Sequence, residues 1–334
     1  FDREVINYIG LIHEFKGRQQ LYLEQKPREL ETLVEIAKIQ STESSNAIEG
    51  ITTTKARLKS LMADKTTPRD RGEKEIKGYR HVLNVIHENF DYVPIRKNYI
   101  LQLHKMLYQF TEERFGGSFK DTPNEIDMVY PDGRTVLLFK PLEPFETPEA
   151  VEKLCEEYDK AINKYGIDPL IAIPVFIHDF LCIHPFNDGN GRMSRLLTTL
   201  LLYKSGFVIG RYISLEKKIE ITKDEYYVAL QESSQNWHEE KNDDTAFIKY
   251  ILGTIVAAYR DFEERVNMLG KKVSARDMVE KAIRSKIGKF TKNDIMELCP
   301  EIGRGSVENS LKALCEEGII KKEGQGRATF YYTI

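Results

Sequence analysis

A short polar loop between two apolar helical segments is the feature that most constrains how this chain can fold. The apolar run Ile171–Ile183 ends at His184, because Pro185 disfavours helical geometry for the residue that precedes it. A second apolar helix begins inside the loop and continues through Ser194–Ser205. The loop is therefore held at both ends by helices.

The residue types in this loop predict a phosphate-binding site. Gly189 and Gly191 allow backbone amides to approach a ligand closely, and the following helix start supplies unpaired N–H groups and a positive dipole end. Arg192 and Arg195 add bidentate donors that suit phosphate. Asp188 places one carboxylate beside these amides, which fits a Mg²⁺ ion held by one protein oxygen and by phosphate oxygens.

The other end of the loop carries a group that can accept a proton near neutral pH. His184 has an ordinary pKa of ~6.5, and Phe186 is most simply a hydrophobic anchor for the loop. Taken singly, a histidine after an apolar helix can be structural, two arginines can form a solvated face, and Gly-Asn-Gly can be a turn. Their occurrence together between His184 and Arg195 favours a functional site.

The run His184-Pro-Phe-Asn-Asp-Gly-Asn-Gly-Arg-Met-Ser-Arg195 resembles the signature of the Fic family, HPFx(D/E)GNGRxxR, at every defined position. The resemblance extends over roughly Gln40 to Gln235. It implies a mainly α fold, a Fic-type helical bundle with a β-hairpin flap. It also implies a protein adenylyltransferase, which moves AMP from ATP onto a Ser, Thr or Tyr hydroxyl of a target protein with the help of Mg²⁺.

The resemblance also assigns roles to residues of this chain. It implies that His184 deprotonates the target hydroxyl, that Asp188 holds Mg²⁺, and that Arg192 and Arg195 hold the outer phosphates. The residues expected to contact the nucleotide are Phe186, Asn187, Asp188, Gly189, Asn190, Gly191, Arg192, Arg195, Tyr226 and Tyr227. Core packing is an open alternative for the two tyrosines, and Ser233-Ser234 stands where relatives often carry an asparagine.

A second, shorter match lies upstream of this core. Ser45-Asn-Ala-Ile-Glu49-Gly50 fits the inhibitory pattern (S/T)xxxE(G/N) of many Fic proteins, in a helix of about residues 41–50. Ser45 and Glu49 are four residues apart and therefore share a helical face. The resemblance implies that Glu49 pairs with Arg192 in the place of the ATP γ-phosphate. An ordinary helix end at Gly50 is the alternative.

One segment departs from the helical pattern. Residues 125–139 contain two β-prone runs around the turn Pro131-Asp-Gly133, which predicts a surface hairpin. We expect its first strand to clamp a target segment by main-chain pairing at a sheet edge, through Ile126, Asp127, Met128 and Val129. Composition alone also allows an unspecialised loop.

Helical periodicity covers most of the remaining chain. The predicted helices are Glu29–Gln40, Thr42–Gly50, Ile76–Asn89, Lys97–Thr111, Pro148–Tyr165, Asp168–Ile183, Ser194–Ser205, Lys223–Gln235, Thr245–Gly270 and Ser274–Ser285.

The last part of the chain resembles a small α+β winged helix-turn-helix domain, with three helices and a terminal hairpin around Gly324–Arg327. We therefore expect an N-terminal helical region at 1–90, the Fic core at 91–268 and the winged helix at 271–334, with a linker near Leu269–Val273. Thr291 is a predicted N-cap. The presumed recognition helix carries Glu308, Glu316 and Glu317 against Lys312, so we favour a protein-interaction role over DNA binding.

Composition limits the classes of partner. A net charge of -3 over 334 residues gives no strong attraction to nucleic acid or anionic membranes, and no apolar run approaches the ~20 residues that span a bilayer. The four cysteines are scattered without metal-site spacing, which predicts buried free thiols: Cys155, Cys182, Cys299 and Cys315. Free thiols are typical of a reducing compartment, so we expect a cytoplasmic location. The expected partners are a target protein, the chain itself included as a target, and a second copy in a homodimer.

Three other functions stay open at this stage. Doc-type relatives phosphorylate their target and carry lysine where this chain has Gly191, which favours AMP transfer here. Removal of AMP from a modified protein, with Glu49 positioning a water, would use the same site. A winged-helix regulator that senses nucleotide without transferring it is the third.

Overall fold

A computed structural model describes residues 2–25, 27–129, 135–270, 274–284, 286, 288–326 and 329–333. The fold is mainly α, as the sequence predicts. The chain divides into two compact units, one formed by Phe1–Gln20 with Ala37–Arg260 and the other by Leu21–Ile36 with Asp261–Ile334.

The helices agree closely with the expected set. In chain order they are α1 (Arg3–Gln25), α2 (Pro27–Ile48), α3 (Lys55–Met62), α4 (Arg71–Asn89), α5 (Lys97–Tyr108), α6 (Thr147–Asp159), α7 (Pro169–Ile183), α8 (Asn190–Lys204), α9 (Leu215–Ile221), α10 (Lys223–Ser233), α11 (Thr245–Gly270), α12 (Ala275–Arg284), α13 (Lys292–Leu298) and α14 (Arg304–Glu316). The sequence reading lacked α1, α3 and α9 and divided α2 into two helices. A short π-helical turn, Lys160–Lys164, continues α6.

The core of the first unit is built around α7 and α8. Both helices are buried on nearly all sides, and every residue of α8 from Met193 to Tyr203 is buried. Asp168 caps α7 by accepting a hydrogen bond from Leu170 N at 2.9 Å, and Pro169 occupies the first helical position, where a missing N–H is tolerated. The polar loop between α7 and α8 therefore stands on a rigid apolar base.

Helix α5 crosses close to α4 and brings two ring side chains under the loop. The approach requires a glycine, because a Cβ on Gly78 would lie 1.9 Å from the carbonyl oxygen of Leu107. His104 and Tyr108 project from the buried face of α5. Both contact the loop: His104 Nε2 lies 3.0 Å from the carbonyl oxygen of Asp188, and the Tyr108 ring packs against Gly189.

The expected hairpin is present as two antiparallel strands, β1 (Ile126–Val129) and β2 (Thr135–Phe139). Ile126 pairs with Phe139 and Val129 pairs with Thr135, with an irregularity in register between Ile126 and Asp127. The predicted turn at Pro131–Gly133 lies outside the described residues.

The second unit has its own small core. Helices α12, α13 and α14 pack with an antiparallel pair of strands, β3 (Ile320–Glu323) and β4 (Phe330–Thr333). Thr291 caps α13 through a capping box with Asp294, as predicted. The predicted linker residues 271–273, Ser285 and the end of the 324–327 turn lie outside the described residues. The winged-helix assignment remains an expectation.

Two further expectations concern the cysteines and the apolar character of the helices. Cys155, Cys182 and Cys299 are buried free thiols, and Cys315 is a half-buried one. Among the described residues no helix combines the length and the apolar character needed to cross a membrane.

Candidate active site

The 184–189 loop turns sharply between α7 and α8. Helix α7 ends at Ile183, and His184 adopts a left-handed conformation with φ 50° and ψ 63°, which is uncommon for a residue other than glycine. Gly189 is also left-handed, with φ 85°, and it is the N-cap of α8. The helix therefore begins at Asn190, inside the sequence motif, as expected.

The start of α8 presents free amides to the solvent side of the loop. The first backbone hydrogen bond of the helix runs from Met193 N to the carbonyl oxygen of Gly189, at 2.9 Å. The amides of Asn190, Gly191 and Arg192 precede it and have no partner within the helix. Together with the positive end of the helix dipole they give this position the electrostatic character that favours an anion.

Asn190 maintains the shape of the loop. Its Oδ1 accepts a hydrogen bond from Phe186 N at 2.9 Å, and its Nδ2 donates to the carbonyl oxygen of Phe186 at 2.7 Å. The Phe186 ring is fully buried and stacks on His104, with ring centroids 3.7 Å apart. This burial supports the expected role of Phe186 as a hydrophobic anchor and leaves the ring no exposed surface with which to contact a nucleotide. The ring anchors the loop from behind, because an exposed phenyl at this turn would lose its burial energy.

His104 supports the same loop through a defined tautomer. Its Nδ1 accepts a hydrogen bond from the backbone N–H of Gly117 at 3.0 Å, so Nε2 carries the proton and donates to the carbonyl oxygen of Asp188, also at 3.0 Å. Burial lowers the pKa of His104 to about 4, which keeps the imidazole neutral at pH 7.

His184 has the protonation state that a general base requires. Burial is the main cause that lowers its pKa to about 4, so the imidazole is neutral at pH 7. Its Nδ1 lies 3.2 Å from the carbonyl oxygen of Leu181, which can only accept a hydrogen bond. The proton therefore resides on Nδ1 and the lone pair on Nε2. His184 lines the cavity described below.

Glu49 and Ser45 both contact Arg195. The Arg195 Nη2 atom lies 2.7 Å from Glu49 Oε1 and 2.9 Å from the carbonyl oxygen of Ser45, and its Nε donates to Ser45 Oγ at 2.8 Å. The expected partner of Glu49 was Arg192, and that expectation is wrong. Arg192 and Arg195 leave α8 in different directions, and only Arg195 faces the end of α2.

Arg192 is buried behind the loop. Its Nη1 lies 2.6 Å from Glu75 Oε2 on α4, and its Nη2 donates to the hydroxyl of Tyr108 on α5 at 2.6 Å. Its side chain is 1 % exposed. The expectation that Arg192 holds an outer phosphate is therefore wrong for this conformation, because its guanidinium is already committed to an interior carboxylate. Arg192 fixes α8 against α4 and α5.

Glu49 packs against Gly191 in the first turn of α8. A Cβ built on Gly191 would come 2.2 Å from Glu49 Oε1 and 3.3 Å from Arg195 Nη1. The carboxylate therefore occupies the space that a side chain at position 191 would need. A negative group sits at the place where the helix start and Arg195 would attract a phosphate.

Asp188 lies between the cavity and a cationic side chain. Its Oδ1 accepts from Gly189 N at 2.6 Å, and its Oδ2 lies 3.1 Å from Arg71 Nη2. Arg71 also contacts Glu75 at 2.6 Å and Glu113 at 3.1 Å. No group of three Asp, Glu, His or Cys side chains among the described residues could hold a metal by itself. One partly exposed carboxylate beside an anion site fits Mg²⁺ that arrives with nucleotide phosphates.

These residues surround one cavity of about 610 Å³, a volume within the usual range of small-molecule sites. The expected site residues that line it are Glu49, Ile126, His184, Asn187, Asp188, Gly189, Asn190, Gly191, Arg195, Tyr226 and Tyr227. Gly50 lines a neighbouring cavity, and the side chains of Asp127, Met128 and Val129 lie outside the described residues.

Tyr226 and Tyr227 have mixed surroundings. Tyr226 is buried and packs against the rings of Phe247 and Tyr250 as well as lining the cavity. Burial raises the pKa of both phenols, so they are neutral at pH 7. The structure thus combines the two alternatives, core packing and a cavity wall.

Several residues of the site carry no signal in the sequence. They lie in ordinary helical or loop sequence and reach the site through contacts across long sequence separations: Arg71, Glu75, His104, Tyr108, Lys120, Asn124 and Lys223. A buried histidine or glutamate on a helix has no spacing that distinguishes this role from core packing.

Comparison with known proteins identifies the family. The model of the Fic/DOC family matches residues 94–202. A Fido domain-containing protein of Dictyostelium discoideum is 31% identical over 122 residues, which cover 35% of this chain and 80% of that protein. The chain therefore belongs to the Fic/DOC family.

Two further comparisons concern activity and fold. The protein adenylyltransferase fic-1 of Caenorhabditis elegans is 32% identical over 69 residues, which cover 21% of this chain but 13% of fic-1. A crystal structure of a Fic family protein from Desulfovibrio desulfuricans aligns over 100% of this chain and 97% of that chain, with a TM-score of 0.64 and 21% identity. At that identity the likeness shows the fold.

Proposed function

We propose that this chain is a protein adenylyltransferase, which transfers AMP from ATP to a hydroxyl side chain of a target protein and is restrained by Glu49. One observation carries the proposal. A single cavity contains an anion-binding helix start, a neutral histidine with its lone pair on Nε2, and a carboxylate paired with Arg195.

The nucleotide would bind with its phosphates at the start of α8. The amides of Asn190, Gly191 and Arg192 would donate hydrogen bonds to α- and β-phosphate oxygens, and Arg195 would hold the outer phosphate once Glu49 has left it. Asp188 would hold Mg²⁺, which neutralises phosphate charge when bound. The nucleoside would lie toward Tyr227 and the flap residue Ile126, on the other side of the cavity.

The chemistry requires one proton acceptor and accurate positioning. The target hydroxyl oxygen forms a bond to the α-phosphorus while His184 Nε2 takes its proton, and the bond from that phosphorus to the bridging oxygen breaks. Pyrophosphate leaves with the bonding electrons, and AMP remains on the target oxygen. No covalent enzyme intermediate is needed, so the rate comes from orientation and from neutralised charge.

The target segment would lie along β1. A short strand at a sheet edge offers unpaired main-chain groups to an extended peptide, and β1 pairs with β2 on one side. Ile126 lines the same cavity as His184, which brings such a peptide near the base. Main-chain pairing would position the backbone of the target but would not select its sequence. The flap residues concerned are Ile126, Asp127, Met128 and Val129.

Glu49 would hold the activity down by occupying a phosphate position. Its carboxylate contacts Arg195 and overlies Gly191, where a phosphate oxygen of productively bound ATP would lie. The pair is partly desolvated, and a coupling of ~1–3 kcal/mol corresponds to roughly 5- to 150-fold in activity. Ser45 would hold Arg195 in place for this contact, and Gly50, with φ 77°, would end the helix behind it.

The alternatives predict different products at the same site. Transfer of the γ-phosphate in the Doc manner would need a lysine at position 191, where any Cβ meets Glu49. Removal of AMP would need Glu49 to position a water. A nucleotide-sensing regulator would bind ATP without transferring any part of it.

The C-terminal unit would serve protein contacts more readily than DNA. On α14, Glu308 pairs with Lys292 at 2.7 Å and with Arg304 at 3.0 Å, so these cations are already neutralised. The same proposal includes the partners and the location of the chain. It would modify a target protein, including itself, would form a homodimer and would act in the cytoplasm.

The test compares ATP labelled at the α-phosphate with ATP labelled at the γ-phosphate. We expect the Glu49→Gly variant to label itself from the α-position in the presence of Mg²⁺, more strongly than the wild type. Label from the γ-position alone would replace adenylylation by phosphorylation. Release of AMP from a pre-modified protein, without net labelling, would favour the reverse reaction.

A further inference from the structure

Four consecutive carbonyl groups of the turn that carries His184 are held by two residues from a different part of the chain. The donors are Lys120 and Asn124. Lys120 Nζ donates to Ile183 O at 3.1 Å, Asn124 Nδ2 to His184 O at 3.4 Å, Lys120 N to Pro185 O at 2.9 Å, and Asn124 Nδ2 to Phe186 O at 3.0 Å.

The first three of these carbonyls need donors from outside the turn, whereas Phe186 O also accepts from Asn190 Nδ2 at 2.7 Å. Ile183 is the last residue of α7, so its carbonyl has no partner within the helix. His184 leaves the helical conformation, and Pro185 has no N–H to donate. Buried carbonyls without donors are costly, and the 120–124 segment satisfies this row of them.

Lys120 is an unusual choice of donor. The residue is 3 % exposed, and its Nζ also donates to Asn124 Oδ1 at 2.9 Å, which joins the two donors to each other. Its ammonium group lies at the C-terminal end of α7, where the helix dipole favours a cation. Burial lowers the pKa of Lys120 to about 8, opposed by Glu143 and Glu146, so it is mainly charged at pH 7.

The positive charge of Lys120 also acts on His184. It lowers the pKa of the imidazole, whereas Glu49 and Asp188 raise it, and burial is the largest cause of the low value. Lys120 therefore favours the neutral form that can accept a proton.

The same segment leads directly into the flap. Ile126, the first residue of β1, is two residues after Asn124. Asn187 of the loop adds contacts to this segment: its Nδ2 donates to Asp121 Oδ1 at 2.9 Å, and its Oδ1 accepts from Asp121 N at 3.3 Å. One continuous piece of chain thus contacts the base-bearing turn and then becomes the strand along which a target would lie.

The phosphate-binding part of the loop is held by other residues. Asn190 bridges to Phe186, and His104 donates to the carbonyl of Asp188. A change at Lys120 therefore leaves these contacts in place. The two sets of hydrogen bonds share one acceptor, the carbonyl oxygen of Phe186, and are otherwise separate.

We propose that Lys120 and Asn124 are positioning residues that hold His184 in register with the flap strand, so that a target hydroxyl on β1 meets the imidazole Nε2. This inference rests on the proposed adenylyl transfer. The new element is that one segment of the chain, residues 120–124, aligns the base His184 with the strand β1. This alignment does not depend on bound nucleotide.

The experiment uses the full chain with Glu49→Gly as background. Lys120→Met removes the donor and the charge, Lys120→Arg keeps both, and Asn124→Asp removes the two donors of Nδ2 with little change in size. Lys140→Met is the matched control, because Lys140 follows β2, is largely exposed and pairs with Glu143 on the surface. Steady-state self-labelling, calorimetric binding of ATP with Mg²⁺, and thermal unfolding are measured for each.

We expect Lys120→Met and Asn124→Asp to lower kcat roughly 10- to 100-fold, the scale of a small misalignment of reacting groups. The ATP dissociation constant should change less than about threefold, and Lys120→Arg should recover much of the rate. A kcat within about twofold of the background in Lys120→Met, or a parallel loss of ATP affinity, would overturn the proposal. If Lys120→Met does not fold, Lys120→Arg and Asn124→Asp carry the same comparison.

A second readout does not depend on transfer. Titration of the His184 imidazole by NMR should give a higher pKa in Lys120→Met than in the background, and an unchanged value in Lys140→Met. If the background labels nothing at all, the adenylyltransferase proposal fails. The NMR titration then still tests whether the charge of Lys120 acts on His184. A His184 pKa that is unchanged in Lys120→Met would overturn the positioning proposal.

Discussion

The floor and one wall of the cavity are built in different ways. The floor is the 184–189 loop with the start of α8, and ring stacking and bonds to backbone groups hold it, as in the pairs Phe186–His104 and Asn190–Phe186. The wall is the 41–50 segment at the end of α2. Hydrogen bonds and ion pairs attach that segment to α8, α9 and α10, through a guanidinium group on α8, carboxylates on α9 and an ammonium group on α10.

The wall contacts form a row of polar pairs. They are Ser41 with Glu216 at 2.6 Å, Ser44 with Glu220 at 2.8 Å, Ser45 and Glu49 with Arg195, and Lys223 with the carbonyl of Ile48 at 2.7 Å. Each polar pair of this kind contributes a modest net free energy, because water can replace a partner that moves away, whereas water cannot replace a buried ring stack. The comparison therefore separates a floor held by ring packing from a wall held by polar pairs, and withdrawal of that wall belongs to the proposed restraint by Glu49.

The largest expected effect concerns the floor. His184→Ala in the Glu49→Gly background should slow transfer roughly 10²- to 10⁴-fold, the usual contribution of a general base. The amides of α8 remain, so the ATP dissociation constant measured by calorimetry should stay within about threefold of the background. Loss of ATP binding together with activity would mean that His184 supports the phosphate site instead of the chemistry.

Acid should lower the free energy of unfolding through His104, the neutral histidine that supports the floor. The pKa of His104 is about 4 in the folded chain against 6.5 as an ordinary value, so the unfolded chain binds the extra proton first. Stability is therefore complete above pH ~6.5 and is lost as pH falls toward 4, by about 1.4 kcal/mol per pH unit for this residue.

Urea unfolding of the wild type between pH 7 and pH 5 measures this loss. His87 should add a slope of the same sign, because burial lowers its pKa to about 3. A free energy of unfolding that stays constant or rises on acidification would show that these imidazoles are not held neutral.

A smaller effect is expected from the wall. Ser44→Ala removes one hydrogen bond to Glu220 and should weaken the inhibited state by ~1 kcal/mol, which raises wild-type self-labelling roughly fivefold. Ser60→Ala is the control, because its hydroxyl bonds the carbonyl of Ala56 within the exposed helix α3. In the Glu49→Gly background Ser44→Ala should have no effect on the rate. A rise there as well would place Ser44 in the catalytic floor.

The sequence predicted the floor well because its signals are local. Pro185 ends α7, Gly189 and Gly191 open the start of α8, and the arginines follow within one turn. Such features depend on neighbours along the chain, which the sequence displays directly. The mainly α fold and the flap strands followed from the same kind of pattern.

The sequence could not assign partners across the fold. Arg192 and Arg195 are three residues apart and chemically identical, and their roles depend on whether α4 or α2 faces each one. Glu75, which neutralises Arg192, lies more than a hundred residues upstream in a helix with no distinguishing pattern. The predicted Glu49–Arg192 pair was wrong for this reason, because Glu49 pairs with Arg195.

Lys120 and Asn124 illustrate the same limit. Their partners are some sixty residues away, and both lie in an irregular segment that sequence reading treats as a loop. Their role depends on the carbonyls of Ile183, His184 and Pro185, which the turn itself supplies with no donor, and this is a property of the folded turn.

The most direct measurement is the intact mass of the Glu49→Gly variant after incubation with ATP and Mg²⁺. The account predicts an added mass of one AMP group on this variant, much less on the wild type, and none on a Glu49→Gly/His184→Ala double variant. An added phosphate, an unchanged mass for Glu49→Gly, or equal modification of the double variant would contradict it.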